Sequence, residues 1–183
     1  FYHCIYDLDS RAPSIDTPLH GLLPFKHIDH LHPDALIAIA AAKDGEALTK
    51  EIWGGTIGWV PWQRPGFDLG LQLEQCLNDN PNIKGIVLGS HGLFTWGDTS
   101  YDCYINSLEV IETASAYITE KEDKNGKVFG GSKIKSASPE DRRTQASILA
   151  PILRGLCSSN NAMIGHFTDD PRVLQFINSQ DLK

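Results

Sequence analysis

The 183-residue chain has no run of 18 apolar residues, no charged leader followed by a short apolar stretch, and no internal repeat. A spanning helix, a secretory signal and a solenoid are therefore not expected, and residence in the cytoplasm, away from any membrane, is the simplest expectation. Positive charge is also scarce. Sixteen Lys plus Arg stand against 23 Asp plus Glu, a net −7, which disfavours nucleic acid as a partner and leaves any phosphate to be caught by local groups. The four cysteines, Cys4, Cys76, Cys103 and Cys157, lie far apart with no C-x-x-C, so neither a zinc ribbon nor a redox pair is written here. Scattered single cysteines are expected to pack as small apolar groups in a reducing compartment.

The chain further lacks an initiator Met. It opens at Phe1-Tyr2-His3-Cys4-Ile5-Tyr6-Asp7 already in strand-like alternation, and closes at Asp181-Leu182-Lys183 in an unfinished helical stretch. One domain over 1–183, incomplete at both ends, is the expectation. With 41% hydrophobic and 21% charged residues, the composition supports one sizeable core.

What is present reads as mixed α/β. Strand-like runs, rich in β-branched and aromatic residues and bounded by Gly, Pro or Asn, fall at 2–8, 24–31, 56–61, 84–89, 93–96 and 162–167. Helical patterns fall at 34–43, with Pro33 as an N1 proline, and at 45–53, 67–78, 99–121, 139–157 and 171–178. Asp98 or Thr99, Ser138 and Asp170 are the expected N-caps. The polar segment 122–138 reads as an exposed loop. In the helix over 99–121, Tyr101, Tyr104, Ile105, Leu108, Ile111, Ala114, Ala116 and Ile118 form an apolar stripe broad enough to lie on a sheet.

The chemistry is carried by histidines. In an extended run, His30 and His32 point to the same face, and two imidazoles on one face make a chelate. Pro33 follows at once. Ile86-Val87-Leu88 reads as a buried strand, and Gly92 lets the backbone turn sharply after His91, so His91 can arrive from a neighbouring strand. Three neutral imidazoles with a fourth position open describe a catalytic metal site. His27 has the wrong parity for this face. His20, four residues after Asp16, is expected to pack or to orient a ligand, and Glu109 and Glu112 to face solvent, the metal site or a subunit neighbour. The four tryptophans are expected as core or interface anchors, and Arg64 as a surface salt-bridging group.

Three ordered segments, Ser14-Ile15-Asp16-Thr17-Pro18-Leu19-His20, His30-Leu31-His32-Pro33 and Leu88-Gly89-Ser90-His91-Gly92-Leu93-Phe94-Thr95-Trp96-Gly97, resemble the motifs of the class II aldolase/adducin family over about residues 10–120. The runs from His27 to Ala35 and from Pro61 to Gly66 most resemble the aldolase half of bifunctional rhamnulose-1-phosphate aldolase/short-chain dehydrogenase proteins. The resemblance implies a three-layer α/β/α fold with a central, largely antiparallel sheet, assembled as a homo-oligomer, commonly a tetramer. It implies Zn2+, or another divalent metal, on His30, His32 and His91. It places Asp16 where the family usually has a catalytic Glu, one methylene longer, and Ser14 at the substrate phosphate. The implied activity is zinc-dependent cleavage of a ketose 1-phosphate, L-rhamnulose 1-phosphate, to dihydroxyacetone phosphate and L-lactaldehyde. The family's upstream phosphate loop and a dehydrogenase half, which would bring NAD, are not visible in the sequence.

Two other readings stay open at this stage. A metal-dependent sugar-phosphate epimerase or dehydratase would use the same triad with different proton-moving residues. A noncatalytic, adducin-like interaction module would keep the fold without the metal. Retention of all three histidines argues against the latter.

Overall fold

A computed structural model describes residues 5–125 and 128–182. It divides into two compact units, Phe1–Glu120 and Lys121–Lys183. In the first unit the chain runs α1 (Thr17–Gly21), β1 (His27–Leu31), α2 (Asp34–Ala40), α3 (Gly45–Trp53), β2 (Ile57–Val60), α4 (Phe67–Asp79), β3 (Gly85–Leu88) and β4 (Gly92–Gly97), then enters the long α5 (Ser100–Asn125). The four strands form one sheet in the order β1-β4-β3-β2. β4 pairs antiparallel with both β1 and β3, while β2 and β3 are parallel, so the sheet is largely antiparallel as expected.

Period-two alternation sorts the strand residues between two apolar layers. Ile86 and Leu88 of β3, Phe94 and Trp96 of β4 and Val60 of β2 pack with Leu19 and Leu23 around α1 and with Leu69, Leu73 and Leu77 of α4. Val87, Leu93 and Ile57 point the other way, onto Leu36, Ile39 and Ala40 of α2 and Val110 and Ala114 of α5. Each fully buried Val, Leu, Ile or Phe side chain among them contributes roughly 1.5–3 kcal/mol, which is why the two layers clamp the sheet from both sides. β3 is buried at all four positions, whereas β1, at the edge, is only half-buried. The edge strand is the one that carries His30. A side chain held there is anchored by the sheet yet remains within reach of solvent.

On the α5 face of β1 and β4 the packing turns polar. The Thr95 and Ser107 hydroxyls are 2.6 Å apart, and the Ser107 hydroxyl donates to the Asp29 carboxylate at 3.2 Å. This chain of hydrogen bonds ties β1, β4 and α5 together, because each buried donor left unmatched would cost about 1–3 kcal/mol. It also changes the inner line of α5. That line is Cys103, Ser107, Val110 and Ala114, whereas Tyr101, Tyr104 and Ala116, expected in the stripe, are exposed.

Most elements fall where periodicity placed them, and the departures have local causes. Residues 5–8 of the run expected as a strand over 2–8 turn instead, with the Ser10 N–H on the Asp7 carbonyl and the Asp9 N–H on the Asp7 carboxylate; residues 1–4 lie outside the described part. The run 162–167 is exposed and belongs to no strand. Pro33 is extended, with φ −73° and ψ 138°, and stands as the residue before α2 rather than as its first helical residue. The short α1 was not anticipated, although Asp16-Thr17-Pro18 is a start signal.

In the second unit, α6 (Pro139–Cys157) and α7 (Pro171–Ile177) begin at Ser138 and Asp170, whose side chains accept from the Asp141 and Arg172 N–H groups as expected of N-caps. Thr99 plays the same part for α5, accepting from the Asp102 N–H at 3.1 Å. Within 122–138, expected as a loop, α5 continues to Asn125 and a 3-10 turn occupies Val128–Gly130. Arg142 and Asp169 pair at 3.1 Å, joining the start of α6 to the segment before α7. No helix among the described residues is long and apolar enough to cross a membrane.

Candidate metal centre

The site is assembled from the edge strand and one turn. His30 sits on β1 directly opposite Phe94, on the α1/α4 face of the sheet, and His32 follows the end of the strand, just before the extended Pro33. His32 therefore returns to the same face, as its spacing implied. His91 comes from the turn between β3 and β4. The turn is closed by the His91 N–H on the Leu88 carbonyl at 3.0 Å, and pinned to the end of α2 by the Ser90 N–H on the Ala40 carbonyl at 2.8 Å.

The reversal at this turn falls on a different residue from the one expected. Ser90, not Gly92, takes the left-handed conformation, with φ 53°. Gly92 is needed for room. A Cβ there would lie 2.5 Å from His32 Cδ2 and 2.7 Å from the Leu31 carbonyl oxygen, so a side chain at 92 would push His32 out of place.

The three imidazoles converge. One ring nitrogen from each of His30, His32 and His91 falls within 4.8 Å of the others, and the ring centroids are 4.7, 5.0 and 5.0 Å apart. His30 and His32 bring their Nε2 atoms to 3.1 Å. Two nitrogens each about 2.0–2.1 Å from a common zinc at a near-tetrahedral angle would be roughly 3.3 Å apart, so a spacing that here also suits a hydrogen bond between the rings fits two ligands to one ion.

Protonation states agree with the geometry. The Leu93 carbonyl can only accept, so at 3.0 Å it fixes the proton of His30 on Nδ1 and leaves a lone pair on Nε2, which faces the cluster. Burial is the main force holding the His30 imidazolium below its ordinary pKa, aided by the neighbouring histidines and opposed by the Leu93 hydrogen bond and by Asp16. His91 is lowered for the same first reason, burial, with His32 adding to it. Its buried Nδ1 has no hydrogen-bond partner among the described residues, a pairing that protein atoms leave unfinished at this place. Three converging imidazoles, two of them held toward the neutral form by burial and one with an unmatched ring nitrogen, are a donor set that fits a divalent transition metal.

A pH dependence follows from these shifts. A histidine whose folded pKa is depressed adds stability above its unfolded value of about 6.5 and loses it as pH falls toward the folded value. Metal-free protein should therefore show a melting temperature that drops as pH falls below about 6.5. His30→Gln should flatten that slope, which scanning calorimetry across the range would register.

Asp16 stands beside the triad rather than in it. Its carboxylate is not a member of the 4.8 Å cluster, but it acts electrostatically on both His30 and His91. It precedes α1 without capping it, and its Oδ2 accepts from the Ser14 hydroxyl at 3.3 Å. Ser14 and Asp16 are thus adjacent, with Asp16 within electrostatic reach of the histidines.

The other candidates take ordinary places. His27 is on the opposite face of β1, and His20 packs edge-on against Phe94 at 5.4 Å. Glu109, Glu112, Arg64 and His166 are exposed and His3 lies outside the described residues. Trp96 is buried and stacked on Phe25, Trp53 and Trp59 pack against the α2/α5 layer, and Trp62 is exposed. Of the cysteines, Cys103 is buried and its thiol is pushed up to about 11 by burial and by Asp29, Cys76 is half-buried, and Cys157 is exposed, contrary to expectation. Two supports of His30, the Leu93 carbonyl and the Phe94 ring, went unread in the sequence although both lie within the third motif.

Residues 4–118 match the family described as Class II Aldolase and Adducin N-terminal domain. The chain belongs to this family. The matched span takes in the whole sheet and all three histidines. A solved relative, the N-terminal class II aldolase domain of a conserved protein from Thermoplasma acidophilum, is 31% identical and superposes with a TM-score of 0.58 over 64% of this chain and 54% of that one. The uncharacterized oxidoreductase YuxG of Bacillus subtilis (strain 168) is 40% identical over 179 residues, which is 97% of this chain and 26% of YuxG. The chain thus spans about a quarter of that relative's length.

Proposed function

We propose that the chain is a zinc-dependent class II aldolase, cleaving L-rhamnulose 1-phosphate to dihydroxyacetone phosphate and L-lactaldehyde. The observation that carries this reading is the convergence of His30, His32 and His91 on the edge of the sheet, with Nε2 of His30 bared by the Leu93 carbonyl. Bound zinc would supply Lewis acidity where negative charge develops on the three-carbon fragment as the carbon–carbon bond breaks.

The chain's own residues do the rest. His30, His32 and His91 hold the ion and, being three, leave it accessible to substrate oxygens. The Asp16 carboxylate takes the proton of the hydroxyl on the carbon that becomes the aldehyde. Protonated in that step, it can return a proton to the three-carbon product. The Ser14 hydroxyl, next to it and exposed, turns from Asp16 to donate to the substrate phosphate. Homo-oligomeric assembly, as a tetramer, belongs to the same proposal. YuxG is named an oxidoreductase and the match covers 26% of it, which supports a longer protein in which an aldolase is joined to an oxidoreductase, and any NAD would serve that second portion.

The test is release of dihydroxyacetone phosphate from L-rhamnulose 1-phosphate, measured with the zinc-loaded chain and with the longer protein that contains it. Product formation, abolished by chelation, is the expected result. One zinc per chain with no product from any ketose 1-phosphate would overturn the aldolase in favour of an epimerase or dehydratase. Absence of metal from both proteins would leave an interaction module.

A further inference from the structure

His30 has two rotatable bonds and sits on an edge strand, where a side chain is free to tilt. The hydrogen bond from its Nδ1 to the Leu93 carbonyl, 3.0 Å long, decides which nitrogen faces His32 and His91. A single hydrogen bond tolerates tens of degrees of rotation about its own axis, so it leaves the plane of the ring unset. A second contact supplies what is missing. Phe94 lies flat against the imidazole, with centroids 4.3 Å apart and planes within 9°. Phe94 is fully buried, pairs with His30 in the β1–β4 register, and is braced from the side by the edge of His20. Directly opposed residues of an antiparallel pair have Cβ atoms about 4.5–5.5 Å apart, which brings the two rings to stacking distance. Among the described residues, neither His32 nor His91 has an aromatic ring stacked in parallel on its face.

We propose that Phe94 is a positioning residue of the metal centre, fixing the ring plane of His30 so that Nε2 points at the common site. The inference rests on the metal-binding part of the proposed function. A residue that only filled the core could be replaced by any apolar side chain of similar bulk, whereas a ring that sets a plane can be replaced only by another ring. Phe94→Leu and Phe94→Tyr separate these roles. Leucine keeps the apolar contact and loses the flat face. Tyrosine keeps the face but buries a hydroxyl, which lowers stability.

Zinc affinity by competition with a chromophoric chelator, the visible spectrum of the cobalt-loaded protein and the melting temperature should be measured for each variant. The Leu variant should bind zinc roughly tenfold more weakly and show an altered cobalt spectrum. The Tyr variant should melt at a lower temperature than wild type yet keep wild-type affinity and spectrum. Leu73→Ala, a cavity in the same apolar layer, should melt lower with metal affinity unchanged. If the Leu variant does not fold, Phe94→Met takes its place in the comparison with Tyr. The proposal is overturned if a folded Leu or Met variant binds zinc as wild type does, or if the Tyr variant loses as much affinity as they do. A wild-type protein that binds no metal would sink the proposed function along with it; wild-type binding with indifferent variants would sink this proposal alone.

Discussion

His30→Ala should leave a folded protein with almost no bound metal and no aldolase turnover. Zinc held by a full set of four protein ligands is worth about 10–16 kcal/mol, so each ligand accounts for roughly 2.5–4 kcal/mol, and removing one weakens affinity on the order of a hundredfold or more. The fold should survive the change. His30 is on a half-buried edge strand, and the substitution forfeits one stacked aromatic contact, about 0.5–1.5 kcal/mol, while the Leu93 carbonyl can turn to water. Zinc content after gel filtration, far-ultraviolet circular dichroism and dihydroxyacetone phosphate release would be measured together. His27→Ala is the matched control, since it sits on the same strand but on the other face and should change neither metal nor turnover. Stoichiometric zinc in the His30 variant would remove the triad from the account.

That control exists because strand parity was legible in the sequence. Alternation placed His30 and His32 on one face and His27 on the other, and the helix starts at Thr99, Ser138 and Asp170 were readable from a side-chain oxygen near the first turn. These are local signals, carried within two to four residues. What escaped was set by partners distant along the chain. Leu93 supports His30 across 63 positions, and only the strand register brings them together. Gly92 looked like a turn residue because glycine commonly is one; its actual demand, space for the His32 ring, exists only once β4 lies beside the end of β1. The inner line of α5 escapes hydropathy for a related reason. Ser107 is drawn to the sheet by Thr95 and Asp29, and hydropathy has no way to rank a serine above a tyrosine when the core position is a polar one. The short α1 carries only five residues, too few for periodicity to register, and its start signal at Asp16 and Pro18 was the sole clue.

Asp16→Asn should separate holding the metal from moving the proton. The carboxylate is outside the histidine cluster and does no capping work for α1, so its loss takes away neither a ligand nor the helix start. Asparagine can still accept the hydrogen bond from the Ser14 hydroxyl, which keeps the local turn. Zinc content should therefore stay at wild-type level. The amide cannot take up a proton at neutral pH, and positioned acid–base groups contribute about 10²–10⁴ in rate, so kcat should fall within that range. KM should move much less, because the phosphate and metal contacts remain. Asp16→Glu bears on the family's usual side chain at this position. The longer arm keeps the acid–base chemistry and lengthens the reach toward His30 and His91, so it should retain far more turnover than the Asn variant. If instead the Asn variant keeps wild-type kcat, the proton is moved by another group. If it loses its zinc while His30 and His32 stay in place, Asp16 is a ligand in solution, and the distinction between the cluster and its neighbouring carboxylate falls.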